Sequence, residues 1–214
     1  MGFLAMVRQT IAPNPATIVY FEVPDARFIL EKLSIWDIIY EHCNYFSRES
    51  LTNVFRRCGF EILRLDETYG GQFLSVDARL SSGDEGVRKN DVDVSDLGIL
   101  VDRFAVQVRD RLASWRGRME EIKRKRRKVV IWGGGSKAVS LLNMLKVREE
   151  IPYVVDINPH KQGLFLAGTG QKIISPEFLA DYRPDLVVLM NPIYRSEVEV
   201  RLSEMNLTPE ILSV

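Results

Sequence analysis

Cysteine, histidine and excess charge of either sign are all scarce in this 214-residue sequence. The two cysteines (Cys43 and Cys58) and two histidines (His42 and His160) form neither a disulfide framework nor a metal-ligand spacing. We therefore expect a reducing, cytoplasmic location and no metal site. The 29 basic and 29 acidic residues cancel, so no net field draws the chain to nucleic acid or membranes. No long apolar run is present, and the N-terminus predicts neither a signal peptide nor a membrane span.

An ordinary globular composition remains, with 46% hydrophobic and 27% charged residues. Residues 1–80 predict the closing part of an α/β sheet. A β-branched, aromatic strand lies over residues 16–23, and Ser47 caps a helix that ends at Gly59. Two further strands join around Gly70 and Gly71.

Residues 81–128 form a connection between two different regions. Residues 81–91 (SSGDEGVRKND) are polar and predict a loop. From Val94 to Lys128, apolar residues recur every three or four positions, which predicts one long helix with a single apolar stripe. The basic run at residues 123–128 lacks interleaved aromatic residues. It therefore indicates the cationic end of this helix rather than a nucleic-acid contact.

Residues 129–214 alternate strands and helices, which predicts a Rossmann-like domain with a parallel sheet. The strands are predicted at KVVIWG, PYVVDIN and DLVVLMN. The helices are predicted at SKAVSLLNMLKV, SPEFLADY and residues 195–205. The predicted domains are thus residues 1–80 and 129–214, joined by a linker and long helix at 81–128.

The clearest motif is GGGSKA at residues 133–138, directly between a predicted strand and a predicted helix. It fits the G-x-G-x-x-A fingerprint for nucleotides, through Gly133 and Gly135. Ser136 opens the helix, whose N-terminal N–H groups can meet a phosphate, and Lys137 adds a mobile cation in the loop. The alternative is a glycine turn that only lets the strand and helix pack.

Polar residues follow the next strand and favour the same site. Asp156 ends that strand, where a carboxylate often meets a ribose hydroxyl. Asn158 and Lys161 come next, at the sheet edge where open α/β folds bind ligands. They are candidate ligand contacts, and a solvated turn is the alternative. The same fingerprint would also suit an NAD-dependent oxidoreductase, but only about three strands follow its start.

A second set of candidates is Tyr40, Glu41, His42 and Tyr45. A histidine beside a carboxylate and apolar rings can act as a general base near neutral pH. A lone histidine is more often a structural residue, so the pattern alone leaves both interpretations open.

Taken in order, several segments resemble the sugar-nucleotide C-methyltransferases, which use S-adenosylmethionine. The matching segments are FEVPD, IIYEHCNYFSRESLTNVFRRCGFEI, TYGGQFLSVDAR, VVIWGGGSKAVSLLNML, YVVDINPHKQGLFLAGT and ISPEFL. The family combines a class I methyltransferase domain with a Rossmann-like C-methyltransferase C-terminal domain that helps hold the nucleotide-linked sugar. The resemblance covers nearly the whole chain from about Pro13.

The resemblance implies roles for the second set of candidates. The family carries Tyr-His-Glu-His before Tyr-Phe-Ser, and Glu41 and His42 match, whereas Ile39 and Tyr40 replace the first two residues. Tyr45 matches the tyrosine that follows. By resemblance His42 is the base that removes a proton next to a keto group, and Glu41 orients it or contacts the sugar.

The resemblance also implies that the half of the methyltransferase domain that binds S-adenosylmethionine is absent from this sequence. We therefore expect little activity from this chain alone. Its partners would be a nucleotide-linked sugar and either a second copy or a complementing chain that covers an open sheet edge. A nucleotide-sugar binding module without catalysis is the alternative, and a degenerate remnant of the enzyme is another.

Overall fold

The computed structural model describes residues 2–82 and 95–214, so most of the predicted loop at residues 81–91 lies outside the described residues. The chain divides into two compact units. The first unit comprises Met1–Leu33 and His42–Phe104, and the second comprises Ser34–Glu41 and Ala105–Val214. Ser34–Glu41 thus belongs to the second unit, although its neighbours on both sides in the sequence belong to the first. The domain limits inferred from sequence stay a prediction.

The helices and strands of the first unit are α1 (Gly2–Ile11), β1 (Val19–Pro24), α2 (Ala26–Glu31), α3 (Arg48–Arg57), β2 (Phe60–Thr68) and β3 (Phe73–Leu80). The unit is built around an antiparallel three-stranded sheet in the order β1-β3-β2. The predicted strands and the turn around Gly70 and Gly71 are confirmed, and α2 was missed because its six residues span less than two helical turns.

Alternation along β3 produces the core of the first unit. Leu74, Val76 and Ala78 are fully buried because every second side chain of a strand points to the same face. They pack in one cluster with Leu51 and Phe55 of α3. Ser47 caps α3 as predicted, since its hydroxyl accepts the Ser50 N–H while the Ser50 hydroxyl accepts the Ser47 N–H.

The elements of the second unit are a 3-10 helix (Ile35–Asp37), the C-terminal part of α4 (Ser95–Lys125), β4 (Val129–Trp132), α5 (Ser136–Leu145), β5 (Tyr153–Val155), β6 (Lys172–Ile174), α6 (Leu179–Tyr182), β7 (Leu186–Leu189), α7 (Arg195–Glu204) and β8 (Glu210–Ser213). They contain a parallel sheet in the order β6-β5-β4-β7-β8, which confirms the predicted Rossmann-like α/β architecture.

Every residue of the central strands β4 and β7 is buried. Such continuous burial is typical of parallel strands covered on both faces, and it explains why VVIW and LVVL are recognisable in the sequence. The outer strands β6 and β8 were not predicted. They have only three and four residues, and their outer positions are polar or partly exposed, so neither stands out as an apolar run.

The long helix α4 is confirmed. Trp115, Met119 and Ile122 of its apolar stripe are buried in its C-terminal half, and Phe104 is buried farther towards its N-terminus. Ile99 and Val106 lie off the stripe and are 67% and 71% exposed. The 3.6-residue period therefore predicted both the helix and the face of it that is covered. In residues 2–82 and 95–214, no helix has both the length and the hydropathy needed to cross a bilayer.

Candidate phosphate-binding site and candidate base

The glycine turn, residues 133–135, connects β4 directly to α5 as the motif predicted. Gly133 has φ of 109°, a backbone conformation that side chains with a Cβ rarely adopt. Gly134 has a different constraint: a Cβ added there would lie 3.0 Å from Oδ2 of Asp156. The fingerprint stresses the first and third glycines, yet a Cβ on Gly135 would meet open space. Close approach of Asp156 therefore favours glycine at the middle position, which the motif leaves unspecified.

Asp156 follows β5, is 8% exposed, and braces the glycine turn. Its Oδ2 accepts the Gly134 N–H at 3.1 Å, and its Oδ1 accepts the Asn158 N–H at 2.8 Å. Lys161 donates to the same Oδ2 at 3.1 Å. Both carboxylate oxygens are thus engaged within the protein. The predicted contact with a ribose hydroxyl would have to compete with these bonds.

The residues after Asp156 form a turn that carries Lys161 back to the glycines. The Asn158 side chain accepts the His160 N–H at 3.0 Å, so it stabilises a turn and does not cap a helix. The Lys161 ammonium donates to the Gly134 carbonyl at 3.2 Å in addition to Asp156. The structure thus brings together the glycine turn, Asp156 and Lys161, as the sequence predicted.

The N-terminus of α5 lies open at this turn. Gly135 is the N-cap residue, and within the described residues no side chain caps the helix. The N–H groups of Ala138 and Val139 donate to the Gly135 carbonyl, while Ser136 is exposed at the first helical position. An uncapped helix N-terminus presents N–H donors and the positive end of the helix dipole, both of which favour an anion.

Lys137 differs from its prediction as a mobile cation in the loop. It lies in the first turn of α5, and its ammonium forms an ion pair with Oδ2 of Asp37 at 3.0 Å. Both side chains are about one-fifth exposed. The Ser34 hydroxyl donates to the same Asp37 oxygen at 2.5 Å. Sequence reasoning missed Asp37 and Ser34, because no local pattern connects them to the glycine turn.

His42, the candidate base, belongs to the first unit and lies against Tyr45. The two rings make an edge contact with centroids 6.0 Å apart. The His42 Nδ1 atom is buried and makes no hydrogen bond within the described part of the chain. The role expected of Glu41, to orient this ring or to contact the sugar, stays a prediction.

Tyr40 and Glu41 belong to the segment Ser34–Glu41 of the second unit. The Tyr40 side chain is 97% exposed, so neither burial nor packing fixes its ring. Glu41 is also exposed. Their assignment as catalytic residues stays a prediction.

Residues 90–208 match the family model described as the C-methyltransferase C-terminal domain, over more than half of the chain. The chain belongs to this C-methyltransferase C-terminal domain family. No curated protein matches the sequence. The match includes the glycine turn, Lys137, Asp156 and Lys161 of this C-methyltransferase C-terminal domain protein, whereas Asp37 and His42 precede it.

Membership associates the chain with methyl transfer, for which methyltransferases in general use S-adenosylmethionine. The glycine turn does not suit that cofactor. The uncapped N-terminus of α5 presents the positive end of the helix dipole, which disfavours a sulfonium cation, and the Asp156 carboxylate is already bonded within the protein. The described residues at this turn fit an anion instead.

The predicted cationic end of α4 is confirmed, and three charges of the basic run at residues 123–128 are paired with carboxylates. Lys123 pairs with Glu150, Lys125 with Glu121. Arg127, just beyond the helix, pairs with Glu210.

Within residues 2–82 and 95–214, no three His, Cys, Asp or Glu side chains are grouped closely enough to hold a metal ion.

Proposed function

We propose that this C-methyltransferase C-terminal domain protein binds the diphosphate of a nucleotide-linked sugar at its glycine turn. The observation that carries the proposal is the uncapped N-terminus of α5, with Lys137 in the first turn of this helix and Lys161 bonded to the carbonyl of Gly134. Backbone N–H groups and ammonium groups are the donors that phosphate oxygens prefer.

Each side chain has a defined part in this binding. Gly134 lets the Asp156 carboxylate approach the turn, because a Cβ at this position would lie 3.0 Å from Oδ2 and push the carboxylate away. Asp156 contributes by holding the Gly134 N–H and Lys161 in place. Gly133, Gly135 and Ser136 present the backbone to the phosphates, and the exposed turn that begins at Asn158 is available to the sugar or the base.

Calorimetry with thymidine and uridine diphosphates and their sugar-linked forms tests this proposal. We expect Lys161→Met to weaken binding about tenfold or more, since a charge-assisted hydrogen bond to phosphate contributes about 1.5–3 kcal/mol. The matched control is Lys172→Met on the exposed end of β6, which should leave affinity unchanged. Absence of binding by the folded wild-type protein would contradict the proposal.

We also propose His42 as the group that removes a proton next to the keto group of a keto-sugar substrate. The specific observation in its favour is the buried, unpartnered Nδ1 atom, since a buried polar atom without a partner is uncommon unless it has a role. Tyr45 packs on the ring and restricts its orientation. Enolate formation of this kind would precede attack on a methyl donor.

Proton exchange measures this step without any methyl donor. A keto-sugar nucleotide incubated in heavy water should exchange the proton beside its carbonyl when wild-type protein is present. His42→Gln should abolish the catalysed exchange while nucleotide affinity stays unchanged. Exchange at the same rate in the variant would assign the proton transfer to another group.

The first unit supports a proposal about partners. On one side β1 pairs with β3, and within the described residues no strand pairs with its other side. Ile18 and Tyr20 are 60% and 59% exposed beside it. We propose that a second copy or a complementing chain covers this edge, because open strand edges associate readily. A monomeric mass by light scattering at high concentration, with no partner bound, would contradict it.

A further inference from the structure

The lysines at the glycine turn do not present an excess of positive charge. Lys161 is paired with Asp156, and Lys137 is paired with Asp37. The four formal charges of these pairs sum to zero. A ligand anion is therefore attracted by the α5 N-terminus and by directed N–H donors, and not by a net cationic charge.

Asp37 is also held firmly beside Lys137. Trp36, its neighbour in the 3-10 helix, is 1% exposed and makes an edge contact with Trp115 of α4, with centroids 6.1 Å apart. The Ser34 hydroxyl adds the hydrogen bond to Oδ2. The carboxylate is about one-fifth exposed, so solvent screens it less than a surface charge. An anion that binds at the turn is therefore repelled by this fixed negative charge, and moving the carboxylate away would cost free energy.

We propose that Asp37 is a specificity-determining residue that makes the glycine turn favour the sugar-linked diphosphate over the free nucleoside diphosphate. The inference rests on the phosphate-binding function proposed above. Repulsion from Asp37 grows in proportion to ligand charge. A sugar-linked diphosphate is doubly charged, whereas a free diphosphate carries additional charge on its terminal phosphate, whose second pKa is near 6.

The test compares three ligands of increasing charge on the full chain: a thymidine diphosphate sugar, thymidine diphosphate and thymidine triphosphate. Titration calorimetry measures their affinities for wild type and Asp37→Asn. The variant should bind all three more tightly, with a gain that rises roughly two- to fivefold for each additional ligand charge. Asp181→Asn on α6 is the matched control, because it changes net charge equally at an exposed site and should give no such gradient.

The outcomes separate the two proposals. An equal gain for all ligands, or none, with wild-type binding intact would overturn the role of Asp37 alone. Binding by neither protein, with both folded by circular dichroism, would overturn the phosphate-binding function and this inference with it. If Asp37→Asn fails to fold, Ser34→Ala keeps the charge but loosens the carboxylate, and should give a smaller gradient in the same direction.

Discussion

The two units distribute their polar groups in different ways. In the first unit, antiparallel strands carry polar residues along their length, and these residues pair across the sheet, as Arg79 does with Glu61. In the second unit, the central strands are wholly buried, and the polar groups are concentrated beyond the strand ends, at the glycine turn and Asp156. Antiparallel sheets with one solvated face need no such concentration, whereas a doubly covered parallel sheet leaves only its edges for chemistry.

The largest expected effect comes from removing one core leucine in each unit. Leu142 of α5 and Leu74 of β3 are both fully buried. Replacement of either by alanine should lower the free energy of unfolding by about 2–5 kcal/mol, measured by urea denaturation. Leu142→Ala should also weaken nucleotide binding, because Leu142 supports the helix that begins at the turn. If Leu74→Ala weakened nucleotide binding as much as Leu142→Ala, binding would not depend on the second unit in particular.

A smaller effect distinguishes two glycines. Gly134→Ala places a methyl group 3.0 Å from the Asp156 carboxylate and should cost about 1–3 kcal/mol of stability together with nucleotide affinity. Gly117→Ala is the control, since nothing lies within 4 Å of a Cβ at that exposed position of α4. It should stabilise the protein by about 0.5–1 kcal/mol. Thermal unfolding and calorimetry of both variants measure the contrast; equal behaviour would refute the proposed constraint at Gly134.

Acidification should lower the free energy of unfolding of the second unit through protonation of Glu177. The Ser175 hydroxyl, and then Arg201 at 2.7 Å, lower the pKa of Glu177 to about 2. Its contribution to stability is complete above the ordinary value of 4.5 and is lost as the pH falls through about 2. The group is exposed, so the loss should stay below about 1 kcal/mol. Glu177→Gln should remove this part of the pH dependence of unfolding; an unchanged acid profile would contradict it.

In the first unit, Asp25 should make stability depend on pH with the opposite sign, so that its contribution is lost as the pH rises. Burial raises the pKa of this carboxyl, although the Arg27 N–H that it accepts at 2.8 Å opposes the shift. Because the pKa is raised in the folded state, Asp25 contributes to stability at pH values below its ordinary pKa of 3.8. This contribution to stability is lost as the pH rises through the pKa of the folded state. Asp25→Asn should retain the cap of α2 and flatten this dependence, whereas Asp25→Ala should lose the cap. A steeper profile in the asparagine variant would show that the sign is wrong.

Much of the architecture could be read from local patterns. Ser47, Gly59 and the paired glycines at 70 and 71 set the limits of α3 and the β2–β3 turn, because caps and turns depend on one or two neighbouring residues. The strand, glycine turn and helix at residues 129–145 followed from the alternation of strands and helices and from the G-x-G-x-x-A motif. The short edge strands β6 and β8 could not be read in this way, since their pairing depends on distant neighbours.

By itself, the sequence determined the α/β class, the long helix, the glycine turn and the position of Asp156 beside it. Only the tertiary structure decided that, within the glycine turn, Gly134 is the position where a side chain would crowd Asp156, that Asp156 is engaged inside the protein, and that Asp37 holds Lys137. The physical reason is the range of the interactions. Caps, turns and periodic burial act between near neighbours and leave a local pattern, whereas an ion pair between residues far apart in the chain exists only once folding brings them together.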